Sequence, residues 1–379
     1  MIDDEFADPE PWIVAPTKPV KGRGAVSNVS GRYETRISEV IDDGWGMDTA
    51  DQVSTITTEV IHEHAKSILS RNQSPDLPFS VSLNPYRGCE HGCIYCFARP
   101  THSYLGLSPG LDFETRLFAK INAADLLRSE LAASSYVPDT IALGVNTDAY
   151  QPCERKLQLT RKVLEVLREC KHPVGLITKS SLIERDIDLL SEMANEHLAM
   201  AAITITTLDH EISRTLEPRA ASPTRRLETI RRLATAGIPV SVSVAPIIPF
   251  ITDQDLEKII AAAFEAGATS AGYTILRLPW EVNPLFQQWL DAHFPDRAER
   301  VMNRIRDMRG GKDYEASFGS RMKGEGLWAE LIAQRFQKAI MRLDIQKSSR
   351  FKFDTSRFRK PLSIPANRKR TDSQLDFFG

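Results

Sequence analysis

Three of the five cysteines lie close together, as Cys89, Cys93 and Cys96, with the spacing C-x3-C-x2-C. Thiolates bind the irons of a cubane cluster, which normally takes four ligands. Three thiolates on one short loop can bind three corners of the cube, and Gly88 and Gly92 allow that loop to bend sharply. The fourth iron is left without a protein ligand, and an open metal position is where a small molecule coordinates. The spacing therefore predicts a [4Fe–4S] cluster with one open iron.

Two other interpretations of these cysteines stay open at the level of the sequence. Structural zinc normally takes four protein ligands, and either His91 or His102 can supply the fourth. Chance clustering or a redox loop is the second alternative.

Short runs rich in valine, isoleucine and threonine alternate with helical patterns along the middle of the chain. The runs predict strands of a buried parallel sheet at residues 79–84, 140–147, 174–178, 200–207, 240–247 and 271–278. The helical patterns occupy residues 114–133, 155–170, 182–195, 223–236 and 252–266. Ser222-Pro223 predicts a helix start, whereas Gly237 and Gly267 each predict a helix end.

Six strands alternating with helices predict an α/β fold with right-handed crossovers, a partial (β/α)6 TIM-like barrel. An open doubly wound sheet is the competing architecture. The cysteine loop follows the first strand directly, at its carboxyl end, where barrels of this kind place their chemistry.

The rest of the chain divides by composition. Residues 1–75, rich in proline and acidic residues, predict a poorly ordered N-terminal extension, and residues 76–280 contain the barrel. Residues 281–345 predict a helical C-terminal extension. Residues 346–379 carry nine Lys or Arg against three Asp and predict a basic flexible tail.

Composition and charge exclude several classes of protein. The net charge of −2 gives no global attraction to nucleic acid or membranes, so any such preference must come from local patches. No apolar run reaches the roughly 18 residues that a membrane span needs. The acidic N-terminus lacks the features of a signal peptide, so we expect a cytoplasmic protein, in which disulfides are rare.

The cysteine motif, with Tyr95 just before its last cysteine, resembles the signature of the radical S-adenosylmethionine (SAM) superfamily. The resemblance implies an enzyme whose open iron chelates the amino and carboxylate groups of SAM. An external one-electron donor would then trigger cleavage to a 5′-deoxyadenosyl radical, which abstracts hydrogen from a substrate. The cofactor carries that chemistry, and the protein supplies orientation and a dry site.

Further segments narrow the resemblance. Residues 84–89, 147–152, 178–180 and 208–218 resemble the group related to spore photoproduct lyase, often labelled DNA repair photolyase-like. The resemblance covers roughly residues 79–280, and the flanks are similar to one bacterial subfamily of that group. It implies a lyase-type radical reaction, in DNA repair or modification, whose exact chemistry is open.

Several cofactor-binding residues follow from the resemblance. Tyr95 is expected to contact the adenine, and Thr147 and Asp148 to bind the amino group of SAM. Lys179, at the end of the third strand, suits the carboxylate or ribose. A cap on the following turn is the alternative for Asp148, and a solvated strand-end lysine is the alternative for Lys179.

The fourth strand and the hydrogen donor complete the predicted site. Thr204 and Thr206 are expected near the ribose, or else are ordinary β-branched strand residues. Spore photoproduct lyase uses a cysteine near the end of the second strand as hydrogen donor, but residues 144–148 contain none. Cys153, a few residues on, is the catalytic candidate, whereas Cys170 ends a helix and predicts a buried small hydrophobe.

The chain ends in Gln374, Leu375, Asp376, Phe377, Phe378 and Gly379. This resembles the peptide that docks on the bacterial DNA sliding clamp, with Leu375 and the two phenylalanines as apolar anchors and Gln374 as a hydrogen-bonding one. The alternative is a hydrophobic C-terminus that folds back on the barrel. The basic residues before it can hold phosphates, or simply be solvated.

The sequence therefore predicts a radical SAM enzyme acting on DNA or another nucleic acid. A radical SAM enzyme that modifies a protein or small metabolite is the second hypothesis. A non-catalytic iron–sulfur protein for electron transfer or binding is the third.

Overall fold

The computed structural model describes residues 19–33, 56–343 and 351–361. Its strands are β1 (Glu59–Glu63), β2 (Leu69–Arg71), β3 (Val81–Leu83), β4 (Tyr86–Arg87), β5 (Arg116–Lys120), β6 (Ile141–Leu143), β7 (Val174–Thr178), β8 (Ala199–Thr204), β9 (Val240–Ile247) and β10 (Ser270–Ile275).

The helices of the barrel region are α1 (Leu111–Thr115), α2 (Ala123–Ala132), α3 (Glu154–Leu157), α4 (Leu159–Glu169), α5 (Ile187–Asn195), α6 (His210–Leu216), α7 (Pro223–Thr235) and α8 (Leu256–Glu265). Those that follow are α9 (Val282–His293), α10 (Pro295–Asp307), α11 (Ser320–Lys323) and α12 (Gly326–Arg342). Short 3₁₀ segments occupy Arg99–Leu105, Ser181–Asp186, Asp253–Asp255 and Thr355–Arg357.

The main sheet has seven strands in the order β10-β9-β8-β7-β6-β3-β2. The six strands from β3 to β10 in this order pair in parallel, and β2 pairs antiparallel with β3 at the edge. Neighbouring parallel strands follow one another without the reversal that marks a doubly wound sheet. The partial (β/α)6 barrel is therefore confirmed, and the doubly wound alternative is wrong.

The core lies between this sheet and the helices α2, α4, α5, α7 and α8. Strand residues of this core, such as Val81, Val174 and Val240, are fully buried. The Ser222 hydroxyl caps the first turn of α7, and Gly237 and Gly267 follow α7 and α8 with positive φ. These helix boundaries confirm the predicted start and end signals.

A second sheet of three strands, in the order β1-β5-β4, lies beside the cysteine loop. Residues 114–133 were expected to form one helix, but residues 116–120 form the strand β5. Leu117 and Ala119 are buried on one side of β5, which pairs in parallel with β1 and antiparallel with β4. Pairing with distant segments outweighs the local helical pattern.

Part of the predicted N-terminal extension is folded, which departs from the expectation for residues 1–75. Residues 59–63 and 69–71 are strands, and residues 19–33 pack on the barrel with Ala25 and Val29 buried. Apolar burial of these short segments outweighs the cost of ordering them.

The helices α9 to α12 occupy much of residues 282–342, within the segment expected to form a helical extension. Trp289 and Phe286 of α9 are fully buried, and α12 packs against α8. No helix of the described ranges is long and apolar enough to cross a membrane.

Residues 351–361 of the predicted flexible tail are docked on the amino-end side of the barrel strands. Phe358 packs against Tyr136 and His172, with ring centroids 5.5 and 5.3 Å away. The Arg359 amide donates to the Cys170 carbonyl at 2.8 Å. This part of the tail is therefore anchored, because its phenylalanines find an apolar surface. The clamp-like residues 374–378 lie outside the described residues.

Candidate active site

The cysteine loop, residues 88–98, follows β4 and lies at the carboxyl end of the barrel strands. Gly88 and Gly92 adopt φ of +74° and +67°, a left-handed conformation that favours glycine. A Cβ at Gly92 would lie 2.6 Å from a carboxylate oxygen of Glu114. The prediction that these two glycines let the loop bend is confirmed.

The three thiols of this loop face one interior. Cys89 and Cys93 are buried, and Cys96 packs with Cys89 against Ala98 and Phe113. Burial raises the pKa of all three thiols, that of Cys93 to about 12. The charges of Cys93 and Cys96 raise the pKa of Cys89, and the charge of Cys96 raises the pKa of Cys93, so the three sulfurs are electrostatic neighbours.

Backbone amides donate to two of these sulfurs. The Asp148 amide donates to the Cys89 sulfur, and the Ala98 and Arg99 amides donate to that of Cys96. Hydrogen bonds of this kind tune thiolates bound to iron. Three neighbouring thiols, two of them with amide donors, fit an iron–sulfur cluster held at three corners.

The zinc interpretation lacks support in the described chain. His91 Nδ1 lies 3.3 Å from Asp148, and His102 Nε2 lies 3.0 Å from the Arg116 carbonyl, so both rings have other partners. The described residues contain no group of three His, Cys, Asp or Glu able to hold a single metal ion.

Arg99, fully buried, holds the loop from inside. Its guanidinium donates to the carbonyls of Gly92, Cys93, Pro109 and Gly110 at 2.9–3.1 Å, and to Glu114 at 2.5 Å. The buried charge is thus paired and hydrogen-bonded, as burial requires.

The N-terminal segment, residues 19–33, covers this loop. The amides of Gly24 and Ala25 donate to Glu114 at 3.0 and 2.8 Å. A Cβ at Gly24 would lie 1.9 Å from the Gly92 carbonyl oxygen, so only glycine fits there. Sequence reasoning missed this contact, although two glycines flank Arg23 in the sequence.

The predicted pair Thr147 and Asp148 lies beside the cysteine loop, with its polar atoms engaged inside the protein. The Thr147 hydroxyl donates to the Tyr86 carbonyl at 2.9 Å. The Asp148 carboxylate accepts from the Thr178 hydroxyl and the Lys179 amide at 2.7 and 2.8 Å. Burial alone would raise the pKa of Asp148, but His91 and these donors lower it to about 2. The Asp148 carboxylate also accepts a hydrogen bond from the Tyr150 amide. This contact is the turn cap that was the alternative role for Asp148.

Lys179 and Tyr95 meet at the site. The Lys179 ammonium lies 5.8 Å from the centroid of the Tyr95 ring. Burial opposes the charge, but Cys93 and Glu217 outweigh it and raise the pKa of Lys179. Among the residues described, none pairs with the ammonium by a hydrogen bond or salt bridge, so the charge is available to a ligand.

Thr204 is the last residue of β8, and Thr206 lies just beyond the strand. The Thr206 hydroxyl donates to Glu217 at 2.6 Å, and the Tyr95 hydroxyl is 3.3 Å from it. The Thr204 carbonyl accepts from Arg226 at 3.0 Å. Thr206 is therefore next to Tyr95, whereas Thr204 ends β8, and the predicted contact of both with ribose stays a prediction.

A buried network around Glu217 was missed as a site feature. Glu217 accepts hydrogen bonds from Tyr95, Thr206 and Arg226, and all four side chains are almost fully buried. Burial alone would raise the pKa of Glu217, but Arg226 and Lys179 lower it. The motif Leu216-Glu217-Pro218 was the signal in the sequence.

Cys153, the predicted hydrogen donor, lies at the start of α3. It packs beside Tyr86, Ala119 and Leu159, outside the apolar clusters that contain the loop cysteines. Burial and nearby Glu90 raise its pKa to about 12, so the thiol keeps its hydrogen. Cys170 is buried in the main core, as predicted, and all five cysteines are free.

The fold and the site together define a class, a partial barrel with a three-cysteine loop after its first parallel strand. Residues 83–263 match the family model "Radical SAM superfamily". Residues 83–263 are therefore similar to a radical SAM domain.

Two relatives share much of this sequence. An uncharacterised protein of Mycobacterium tuberculosis (strain ATCC 25618 / H37Rv) is 37% identical over 226 residues, 59% of this chain and 66% of the relative. An uncharacterised protein of Methanocaldococcus jannaschii is 25% identical over 246 residues, 65% of this chain and 88% of the relative. The match to the mycobacterial protein thus spans slightly less than two thirds of that relative.

The fold is that of spore photoproduct lyase. A structure of that enzyme complexed with dinucleoside spore photoproduct has 13% identity and a TM-score of 0.53, and the match covers 75% of this chain and 79% of the other. At this identity the likeness concerns the fold.

Proposed function

We propose that this chain holds a [4Fe–4S] cluster on Cys89, Cys93 and Cys96, binds SAM beside it, and acts on nucleic acid in a repair or modification reaction. One observation carries the proposal: the neighbouring thiols of Cys89, Cys93 and Cys96, two of them with amide donors, lie near the unpaired ammonium of Lys179. Such a site suits a cluster and the anionic carboxylate of an amino-acid cofactor together.

When bound, the cluster and SAM supply one-electron cleavage to a 5′-deoxyadenosyl radical. The residues of the chain bind, orient and exclude water. Lys179 attracts the SAM carboxylate, and the Tyr95 ring forms the adenine side of the site. Asp148 fixes the ends of β6 and β7 against each other through Thr178 and the Lys179 amide. The segment 19–33 keeps solvent from the loop.

A nucleic-acid substrate is supported by the fold. A solved structure with the same fold is spore photoproduct lyase complexed with a dinucleoside photoproduct. The hydrogen donor in our proposal is Cys153, whose thiol is protonated and half-buried. The wider proposal is a cytoplasmic enzyme with an external electron donor, recruited to DNA by docking of residues 374–378 on the sliding clamp.

The test is anaerobic reconstitution with iron and sulfide, then dithionite and SAM with and without DNA, with chromatography for 5′-deoxyadenosine. We expect 5′-deoxyadenosine from the wild type and none from Cys93→Ala, which should also lose the absorbance near about 400 nm that is typical of such clusters. Cys170→Ala is the matched control, since Cys170 lies in the main core. A cluster without 5′-deoxyadenosine under any condition would favour a non-catalytic iron–sulfur protein. If only a protein or a metabolite stimulates formation of 5′-deoxyadenosine, the substrate is not a nucleic acid.

A further inference from the structure

Exposed aromatic side chains gather near the mouth of the site. Five are exposed in the described residues, and four of them are Tyr33, Phe97, Tyr104 and Trp280, with 55%, 47%, 65% and 59% of their surface exposed. Large exposed apolar groups that cluster mark an interaction surface more often than those scattered singly.

Three of these rings form one contact chain with an arginine. The Arg32 guanidinium lies 4.2 Å from the Trp280 ring centroid and 5.5 Å from that of Tyr33. The Tyr33 and Tyr104 rings are 5.1 Å apart. Glu281 forms an ion pair of 2.8 Å with Arg32, and this pair holds the guanidinium in place between the Trp280 and Tyr33 rings.

The fourth ring, Phe97, belongs to the cysteine loop itself. Phe97 directly follows Cys96, and Arg277, just beyond β10, lies 5.7 Å from its centroid. Arg277 contacts Met322 and the Tyr314 hydroxyl, and within the described chain no carboxylate pairs with it. Its charge is therefore open to an anion at the rim of the site.

The backbone at Trp280 supports a binding role. Trp280 has φ of +46°, which is rare and strained for a residue with a side chain. Strain of this kind, holding an indole out in solvent, is typical of ligand-binding positions rather than of packing.

The chemistry of the surface selects its ligand. Aromatic rings stack on the faces of unpaired bases, and arginines between them hold phosphates. A base paired within a duplex cannot reach a recessed site and must leave the stack first. The surface thus suits a strand whose bases are already unstacked, next to the place where a target nucleotide would react.

We propose that Tyr33, Phe97, Tyr104 and Trp280, with Arg32 and Arg277, form an aromatic–arginine surface that binds single-stranded nucleic acid and leads it to the cysteine loop. The proposal rests on the nucleic-acid function above and names the form of the substrate.

The experiment is fluorescence anisotropy of a labelled single-stranded DNA oligonucleotide with the reconstituted full chain. We expect Trp280→Ala to raise Kd by roughly 5-fold to 150-fold, the effect of one lost base stack. Arg277→Gln should make the slope of log K against log salt less negative by about 0.7, one phosphate contact to a single strand. Phe351→Ala is the control, since this ring stacks on His197 at the opposite end of the barrel.

If Trp280→Ala and Tyr104→Ala have the wild-type circular dichroism spectrum and the wild-type Kd for the oligonucleotide, the proposed surface is overturned. Tighter binding of the matched duplex than of the single strand would overturn it too. The same samples are assayed for 5′-deoxyadenosine. If the wild type cleaves SAM but does not bind the oligonucleotide, only the proposed aromatic–arginine surface is wrong. If the wild type binds the oligonucleotide, Trp280→Ala does not, and the wild type cleaves no SAM, the proposed radical function is wrong. The aromatic–arginine surface is then still supported.

Discussion

Glu217 and Arg226 form a charged pair in the interior, beneath the Tyr95 hydroxyl. Removal of one partner leaves the other charge buried without compensation, which typically costs about 3–5 kcal/mol. We expect Glu217→Gln to lower the free energy of unfolding by about that amount, measured by urea denaturation.

Glu228→Gln is the matched control, because its partners Arg231 and Arg232 are exposed and exposed pairs contribute little. Equal losses in the two variants would contradict a special role for burial at Glu217.

Lys179 tests the cofactor site at the same scale. Lys179→Ala should retain the cluster, since the ammonium is not a ligand, but weaken SAM binding about tenfold to a hundredfold, the worth of a charged hydrogen bond. Titration calorimetry on the reconstituted protein measures this. Lys258→Ala, on an exposed lysine, should bind SAM normally. Wild-type affinity in Lys179→Ala would remove Lys179 from the site.

The cysteine loop gives a prediction at the scale of the element. In Gly92→Ala the new methyl group meets Glu114 at 2.6 Å, in a backbone conformation that already costs about 1–2 kcal/mol for alanine. We expect a lower melting temperature and less bound iron and sulfide per chain. Gly106→Ala isolates the contact, since Gly106 has φ of +65° and nothing within 4 Å of a Cβ. Equal iron loss in both variants would assign the effect to backbone strain alone.

Local patterns were enough to predict the parallel strands and the cysteine loop. The strand β7 matches its predicted range because its residues are buried by their own type and order. The strand β5 was missed because it exists through pairing with β1, more than fifty residues earlier in the chain. The contact of Gly24 with the cysteine loop was missed for the same reason, since it joins segments far apart in sequence.

At the scale of the whole molecule, the two ends of the barrel carry different tasks. The site and the aromatic–arginine surface lie at the carboxyl ends of the strands, whereas residues 351–361 dock at the amino ends. Phe358→Ala should lower the free energy of unfolding by about 2 kcal/mol, the worth of one apolar side chain in contact with Tyr136 and His172.

The same variant should keep SAM cleavage and oligonucleotide binding. Leu327→Ala, on a side chain that is 85% exposed, should leave the melting temperature unchanged. A Phe358→Ala protein with normal stability but impaired oligonucleotide binding would contradict this division and assign the tail to the substrate.

The guanidinium of Arg99 has a consequence for the life of the protein in a cell. Its bonds to the Gly92 and Cys93 carbonyls of the loop, and to the Pro109 and Gly110 carbonyls of a following segment, need no iron, so they hold the loop in shape without it. The entropy of ordering the three cysteines is then lost during folding and not at metal delivery. A chain that loses its cluster to oxygen or iron starvation would keep a preformed binding loop. A new cluster would then bind without new synthesis of the protein.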